Sequence, residues 1–105
     1  MTTVTIEDGV AVVRLDDGKV NVVSHAFVDQ MHAALDQALA EASAVCIVGN
    51  EKALSAGFDL SVMNSGDMGD VVKLVQRGGE LIFRLFMHPQ PTVCAVTGHA
   101  LAAGA

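Results

Sequence analysis

The sequence predicts an α/β fold. Two short apolar runs rich in β-branched residues, at Ala44–Val48 and 92–96, alternate with longer segments whose apolar residues recur at helical spacing. Hydrophobic residues make up 51% of the 105 positions, which is enough for the core of one domain. A strand, a helix and a second buried strand in this order form a right-handed crossover unit, so we expect parallel strands covered by helices.

The chain opens with a predicted β-hairpin that is followed by a helix. Apolar runs on both sides of the dipeptide Asp8-Gly9 indicate a tight hairpin turn. After a polar break, Ser24 is expected to cap a helix that runs to about Ala42. The residues expected on the core face of this helix are Phe27, Met31, Ala34, Leu35, Ala38 and Ala42.

A second strand and a second helix follow. The run Ala44–Val48 is continuously apolar, so we expect a strand that is covered on both faces. A polar loop is predicted over 64–69, after which Asp70 is expected to cap a helix that runs to about Met87. The residues expected on the buried stripe of this helix are Val71, Val75, Gly79, Ile82 and Phe86.

The last part of the chain is predicted to form another strand and the start of a helix. Pro89 and Pro91 end the second helix and lead into a buried strand over 92–96. Residues 100–105 have the composition of a helix start. Because such an apolar tail is a poor natural terminus, we expect residues 1–105 to be the N-terminal part of a longer single domain.

Charge and composition narrow the classes of function. A formal net charge of −6, with few and unclustered basic residues, argues against binding to nucleic acid or to anionic membranes. No apolar run reaches the roughly 18–20 residues of a membrane span, and no export signal is visible, so the expected location is the cytoplasm. Cys46 and Cys94 lie in apolar runs, so we expect buried free thiols and no metal site.

Two segments of small residues, at 53–60 and 96–104, follow predicted strands. Each contains glycine where a strand ends, so each can present a backbone N–H to a ligand. Because ligands bind beyond the carboxyl ends of parallel strands, we expect the two segments to lie close together and to form an oxyanion hole. The simpler alternative is that Gly57 and Gly98 only make tight turns.

Four motifs resemble those of a known family. Residues 54–60, Leu-Ser-Ala-Gly-Phe-Asp-Leu, resemble the signature Phe-x-Ala-Gly-x-Asp-Leu/Ile of the crotonase superfamily, the enoyl-CoA hydratases and isomerases. Residues 98–104 are similar to its second signature, Asn-Gly-x-Ala-x-Gly-Gly-Gly. Asn21 in the run Lys-Val-Asn-Val-Val-Ser and the run Pro-Thr-Val-Cys-Ala-Val at 91–96 match further family motifs in the same order, so the resemblance spans essentially the whole chain.

The resemblance implies a crotonase-like fold, in which repeated ββα units form a spiral and this chain is the N-terminal part. It also implies an acyl-CoA enzyme that stabilises a thioester enolate, needs no cofactor beyond the coenzyme A of its substrate, and assembles as a homotrimer or hexamer. The oxyanion donors implied are the backbone N–H groups of Phe58 and Ala103. The residues implied in substrate binding are Ala56, Gly57, Phe58, Asp59, Leu60 and Ala103.

The chain departs from the family pattern at three positions. Thr97 replaces an asparagine, and Ala102 and Ala103 replace two glycines. Since a helix start tolerates alanine, we expect the backbone donors to remain available. The family resemblance places the catalytic glutamates of a hydratase beyond residue 105, and isomerases of the family can work with the second of them alone.

Several alternatives stay open at this point. A crotonase-fold protein that binds acyl-CoA but lacks the catalytic carboxylates is the alternative to a hydratase or isomerase, and the motifs at 19–24 and 55–60 resemble the isomerase branch. Asp59 is either a general base or, as we expect, a helix cap. Met63 and Met68 either line an acyl pocket or simply pack. A dinucleotide-binding loop is disfavoured because Gly-x-Gly-x-x-Gly is absent.

Overall fold

A four-stranded sheet forms the frame of the structure, a computed structural model that describes residues 1–105. Its strands lie in the order β1-β2-β4-β7. The hairpin pair β1–β2 is antiparallel, whereas β2–β4 and β4–β7 are parallel, as the crossover prediction requires. The bounds are β1 Thr2–Glu7, β2 Val10–Leu15, β4 Ala44–Val48 and β7 Thr92–Ala95.

The hairpin turn is confirmed. Asp8 and Gly9 both have positive φ, at 51° and 81°, as the central residues of the tight hairpin turns that match the twist of a β-ribbon do. The turn joins Glu7 to its register partner Val10, and the pairing then runs unbroken to Thr2 and Leu15. The Asp-Gly dipeptide therefore sets the register of the first two strands.

Four further strands are only two or three residues long, too short for a hydrophobic period to predict them. They form two parallel pairs, β3 with β6 and β5 with β8. Their bounds are β3 Val22–Val23, β5 Ala53–Ser55, β6 Gly57–Phe58 and β8 His99–Ala100. The second small-residue segment thus begins as a short strand and ends in a single 3-10 turn over Ala102–Gly104, where the sequence suggested a helix start.

Three helices complete the fold: α1 His25–Glu41, α2 Leu60–Met63 and α3 Met68–Met87. The predicted cap of α1 is confirmed, since Ser24 Oγ accepts a hydrogen bond of 3.1 Å from the Phe27 N–H. The predicted cap of α3 is wrong, because Asp67 occupies this position and accepts from the Asp70 N–H at 3.1 Å. The Asp70 carboxylate contacts His25 Nε2 instead, at 2.8 Å.

The main core lies between α1 and one face of the sheet. Leu35 and Ala38 of α1 are fully buried against Val13 of β2 and its neighbours, while Phe27 and Ala42 are only partly buried. The other α1 residues in the core are Val28, Met31 and Ala34. In β4 the burial alternates, so this strand is buried on one face and only partly covered on the other, where two covered faces were predicted.

The predicted buried stripe of α3 is wrong by one residue. Leu74, Gly78 and Leu81 are buried, whereas Ile82 and Phe86 are 51% and 84% exposed. Two apolar stripes run side by side on this helix, and helical spacing alone does not rank them. Only the first stripe is buried.

The strand β7 lies at the edge of the sheet and is exposed, although the sequence predicted a buried strand. Val93 is 62% exposed. Both cysteines are free, as predicted, but Cys46 is only half-buried and Cys94 is exposed. The pKa of the Cys94 thiol is nevertheless raised, first because the sulfur loses solvation and second because Cys46 lies close to it.

Paired polar contacts dock α3 onto α1. Arg77 forms an ion pair with Asp29, and Arg84, one heptad later, contacts Asp36 at 2.5 Å. Each arginine also meets a histidine of α1: His25 for Arg77 and His32 for Arg84. Exposed ion pairs contribute roughly 0–1 kcal/mol each, so this double contact fixes the register of the two helices more than it stabilises them. None of the helices combines the length and the apolar character needed to cross a membrane.

We predict that Gln90 stabilises the end of α1. Its Nε2 donates to the carbonyl oxygens of Ala38 and Ala42, at 3.0 and 2.7 Å, and so adds two hydrogen bonds at a helix end, where carbonyl groups lack the intrahelical partners of the interior. Replacing Gln90 with alanine should lower the free energy of unfolding by about 1–2 kcal/mol, as measured by urea denaturation. The control Gln37→Ala, on the exposed face of α1, should change it by less than about 0.5 kcal/mol. Equal effects of the two changes would contradict the prediction.

Candidate functional site

The two small-residue segments meet in the structure. Ala53 pairs with His99 and Ser55 with Ala100 in parallel strands, and the Leu101 N–H donates to the Ser55 carbonyl oxygen at 3.0 Å. Gly57 lies directly against the second segment. A Cβ at Gly57 would lie 3.1 Å from the Ala102 Cβ, and its φ of +95° is also one that glycine adopts without strain.

The two expected oxyanion donors lie on facing segments. The Asp59 N–H donates to the Val23 carbonyl oxygen at 3.0 Å, and because successive amides of an extended strand alternate in direction, the Phe58 N–H is turned away from β3. The Ala103 nitrogen lies 3.5 Å from the position that a Gly57 Cβ would take. The structure therefore brings the Ala103 backbone against Gly57, the residue that precedes Phe58.

An apolar cavity of about 420 Å³ opens beside these segments. Phe58 and Ala103 line it together with Met31 of α1, Leu81 of α3 and Cys94 of β7. Met63 and Met68, which the sequence offered as pocket residues or as packing residues, do not line this cavity. A cavity with this lining suits an apolar chain, while the backbone amides at its edge suit a carbonyl oxygen.

Asn21 holds the first segment in place. It is 1% exposed, and its Nδ2 donates to the carbonyl oxygens of Leu15, Ala53 and Leu54 at 2.9–3.2 Å. Ser55 Oγ donates to the Asn21 carbonyl oxygen at 2.6 Å and accepts from the Gly57 N–H at 3.3 Å. The sequence showed Asn21 only as part of a family motif. Its supporting role follows from the buried contacts.

The Asp17 carboxylate orders the turn that leads to Asn21. Burial alone raises its pKa, but hydrogen bonds from the N–H groups of Asn21, Lys19 and Val22 together outweigh that effect and hold the pKa below its ordinary value of 3.8. The neighbouring Asp16 also has a lowered pKa, first because the Gly18 N–H donates to it and then because of the Asn50 side chain.

The remaining predicted site residues lie around the first segment. Asp59 caps α2, where its Oδ1 accepts from the Ser61 N–H at 3.0 Å and from the Ser61 hydroxyl at 2.7 Å, as the favoured interpretation predicted. Ala56 is half-buried and donates its N–H to the Val20 carbonyl oxygen. Leu60, at the start of α2, is 69% exposed.

A second, polar groove of about 540 Å³ lies beside the loop that precedes β5. Lys19 and Lys52 line it together with the acidic residues Asp16 and Glu51, and Thr97 borders it. The Lys52 side chain is exposed at this groove. No three His, Cys, Asp or Glu side chains come together in a way that could hold a metal ion.

Ala102 adopts a conformation that differs from the predicted helix start. Its φ of +50° is left-handed, whereas the expected helix start would have been right-handed and tolerant of alanine. A left-handed alanine is strained because its Cβ approaches the following carbonyl oxygen, at a cost of about 1–2 kcal/mol. Glycine, which the family signature carries here, adopts this backbone freely.

Comparison with known proteins points to one family. The sequence model of the family described as "Enoyl-CoA hydratase/isomerase" matches residues 5–105. A protein of Rhodobacter capsulatus named "Probable enoyl-CoA hydratase" is 32% identical over 101 residues, which cover 95% of this chain and 39% of that protein. The chain therefore spans about two fifths of the length of this curated relative.

Solved structures give the same picture. A structure of a Mycobacterium tuberculosis protein described as a probable enoyl-CoA hydratase superposes with a TM-score of 0.94 at 39% identity, and covers 98% of this chain and 44% of that one. A second structure of the same protein, without ligand and described as an enoyl-CoA isomerase, gives a TM-score of 0.92 at 38% identity over 98% of this chain and 45% of that one. The two descriptions differ on the reaction.

We predict that stability depends on the ionised form of Asp17. Because the folded-state pKa is lowered, this contribution is fully present above the unfolded-state pKa and is lost as the pH falls below 3.8 through the folded-state value. Asp17→Asn should therefore reduce the free energy of unfolding by about 1 kcal/mol at neutral pH, and the difference from the parent should shrink towards pH 3 in urea titrations. The control Asp8→Asn makes the same charge change at the hairpin turn, which asparagine also suits, and a loss of the same size in both variants would contradict the prediction.

We also predict that Ala102→Gly stabilises the protein. The substitution removes the left-handed strain but adds chain entropy to the unfolded state, so the net gain should be about 0.5–1 kcal/mol. Ala33→Gly, at an exposed position inside α1, should have the opposite sign and lose about 1 kcal/mol. Thermal and urea unfolding measure the change in stability of both variants. A loss of stability for Ala102→Gly would show that its backbone is not strained.

Proposed function

Because the chain belongs to the enoyl-CoA hydratase/isomerase family, we propose that it provides the thioester-binding part of an acyl-CoA active site. In this proposal the N–H groups of Phe58 and Ala103 both donate to the thioester carbonyl oxygen. The observation that carries the proposal is the meeting of Gly57 and Phe58 with Ala102 and Ala103 at the edge of an apolar cavity.

The proposed chemistry passes through an enolate. Removal of a proton from the carbon next to a thioester, or addition at the double bond of an enoyl thioester, places negative charge on the carbonyl oxygen. Two fixed backbone donors stabilise that charge without carrying charge themselves and without reorganising during the reaction. The net charge of −6 makes neutral backbone donors the more suitable means of holding an oxyanion here, since basic side chains are few.

Each part of the substrate has a proposed place. The acyl chain enters the apolar cavity, and the thioester lies against the segment that contains Ala56, Gly57, Phe58, Asp59 and Leu60, with Ala103 opposite. Coenzyme A arrives as part of the substrate, and the proposal needs no further cofactor. Assembly as a homotrimer or hexamer is a further prediction from the family resemblance, and a cytoplasmic location is a prediction from the sequence.

Proton transfer needs an acid or base, and the family resemblance places the glutamates that supply it beyond residue 105. We propose 3-enoyl to 2-enoyl isomerisation ahead of hydration, because the motifs at 19–24 and 55–60 resemble the isomerase branch. The alternative is a crotonase-fold protein that binds acyl-CoA but lacks the carboxylates. The two structures of the mycobacterial protein, one described as an isomerase and one as a hydratase, do not choose between the two reactions.

An activity assay tests the proposal. The full-length protein is incubated with a 3-enoyl-CoA and, separately, with a 2-trans-enoyl-CoA, and is titrated calorimetrically with acetoacetyl-CoA and with NAD. We expect isomerisation of the 3-enoyl thioester and binding of acetoacetyl-CoA. Binding of acetoacetyl-CoA without turnover of either substrate would favour the non-catalytic alternative, and binding of NAD alone would refute the proposal.

We predict that the Phe58 N–H is needed for turnover. Phe58→Pro removes this N–H, and because the N–H is turned away from β3 the substitution breaks no bond of that strand pair. Its kcat should fall about 100- to 1000-fold relative to Phe58→Ala, which loses the same ring but keeps the N–H. Circular dichroism checks that both variants fold. Similar kcat values for the two variants would show that Phe58 is not a donor.

A further inference from the structure

The aromatic ring of Phe58 lies directly on Gly78 of α3. A Cβ at Gly78 would lie 2.6 Å from Phe58 Cε1 and 2.9 Å from Cζ, which is closer than real Cβ contacts come. Gly78 is buried, and both residues line the apolar cavity. The absence of a side chain at Gly78 therefore creates the space in which the ring sits.

The neighbouring glycine provides a contrast. A Cβ at Gly79 would meet no atom within 4 Å, and this residue is exposed. Two adjacent glycines weaken the middle of a helix, because glycine loses more backbone entropy than other residues when it becomes helical. Packing explains only Gly78, which lies beneath the Phe58 ring.

The helix α3 is held in place on both sides of Gly78. Leu74 and Leu81, one turn before and one turn after, are 0% and 3% exposed. Arg77 and Arg84 form ion pairs with Asp29 and Asp36 of α1. A methyl group at Gly78 would consequently displace the Phe58 ring more readily than the helix, and the space beside the ring is the cavity.

We propose that Gly78 is a positioning residue that acts through the Phe58 ring. Because Gly78 lets the ring pack against α3, it fixes the direction of the Phe58 N–H. It also keeps the ring out of the space that an acyl chain occupies. This inference rests on the proposed function, because it assigns the Phe58 N–H to the thioester oxygen and the cavity to the acyl chain.

Two consequences follow for catalysis and specificity. Oxyanion donors act at heavy-atom distances of about 2.7–3.1 Å, so a small shift of the Phe58 backbone weakens the interaction in the transition state. A displaced ring also shortens the cavity, and a long acyl chain is therefore affected more than a short one. A residue with a purely structural role would not produce this dependence on chain length.

The test compares Gly78→Ala with the matched control Gly79→Ala in the full-length protein. Gly78→Ala should lower kcat/KM by about 10- to 100-fold for a four-carbon enoyl-CoA, mainly through kcat, and by more for a ten-carbon substrate. Gly79→Ala should leave kcat/KM for both substrates within about twofold of the parent, because no atom lies within 4 Å of its methyl group. Equal effects of the two substitutions, or a loss in Gly78→Ala that does not grow with chain length, would overturn the proposal.

A second variant keeps the test informative if Gly78→Ala does not fold. Phe58→Leu shortens the side chain, so the double variant Gly78→Ala/Phe58→Leu should fold and should have nearly the kcat/KM of Phe58→Leu alone. A double variant that remains unfolded, or as impaired as Gly78→Ala, would show that Gly78 does not act through the ring.

The failure of this inference is distinguishable from the failure of the proposed function. A parent protein that neither binds acetoacetyl-CoA nor turns over an enoyl-CoA would refute the proposed function, and with it the catalytic role of Gly78. The contact itself is then still measured by a double-mutant cycle in urea unfolding. Non-additive changes in the free energy of unfolding for Gly78→Ala and Phe58→Leu support the contact between Gly78 and the ring, and additive changes refute it.

Discussion

The buried side chain of Asn21 joins the main sheet to the short strands that build the site. Its Nδ2 donates to Leu15 at the end of β2 and to Ala53 and Leu54 of β5, while its backbone accepts from Ser55. Its φ of +55° is left-handed, a conformation that asparagine tolerates better than most residues. An apolar residue at this position would remove the hydrogen bonds that link the end of β2 to β5, and such bonds contribute about 1 kcal/mol each. The position therefore requires both the amide and the unusual backbone.

Ser55 connects Asn21 to both parts of the proposed oxyanion hole. The Ser55 hydroxyl bonds Asn21 and receives the Gly57 N–H, and the Ser55 carbonyl oxygen receives the Leu101 N–H. One residue thus connects the strand before Phe58 to the segment before Ala103. Backbone donors stabilise a transition state only if their directions are fixed beforehand, and two- or three-residue strands do not supply that rigidity alone. The buried polar network provides it.

How well the sequence predicts an element depends on the length of that element. The hairpin at Asp8-Gly9, the helix capped by Ser24 and the parallel strands each leave a local pattern that survives folding. On α3, by contrast, Leu74 and Val75 begin two equivalent apolar stripes, and only packing against α1 decides which is buried. The short strands around Phe58 are too short to show a hydrophobic period, so small residues with glycine, and then the family motifs, located that segment. No local sequence pattern indicates that the Ala102 backbone is left-handed, because alanine favours right-handed helices.

Close approach of the two segments explains why small residues dominate both. With no Cβ at Gly57, the Ala102 methyl group fits beside it, whereas a Cβ at both positions would bring them to 3.1 Å. The same argument applies on the other side of Phe58, where Gly78 leaves room for the ring. Phe58 thus lies between two glycines that differ in kind: Gly57 allows its backbone to approach the facing segment, and Gly78 allows its side chain to approach α3. The position of one amide therefore depends on residues from three separate parts of the chain, and single motifs do not reveal that dependence.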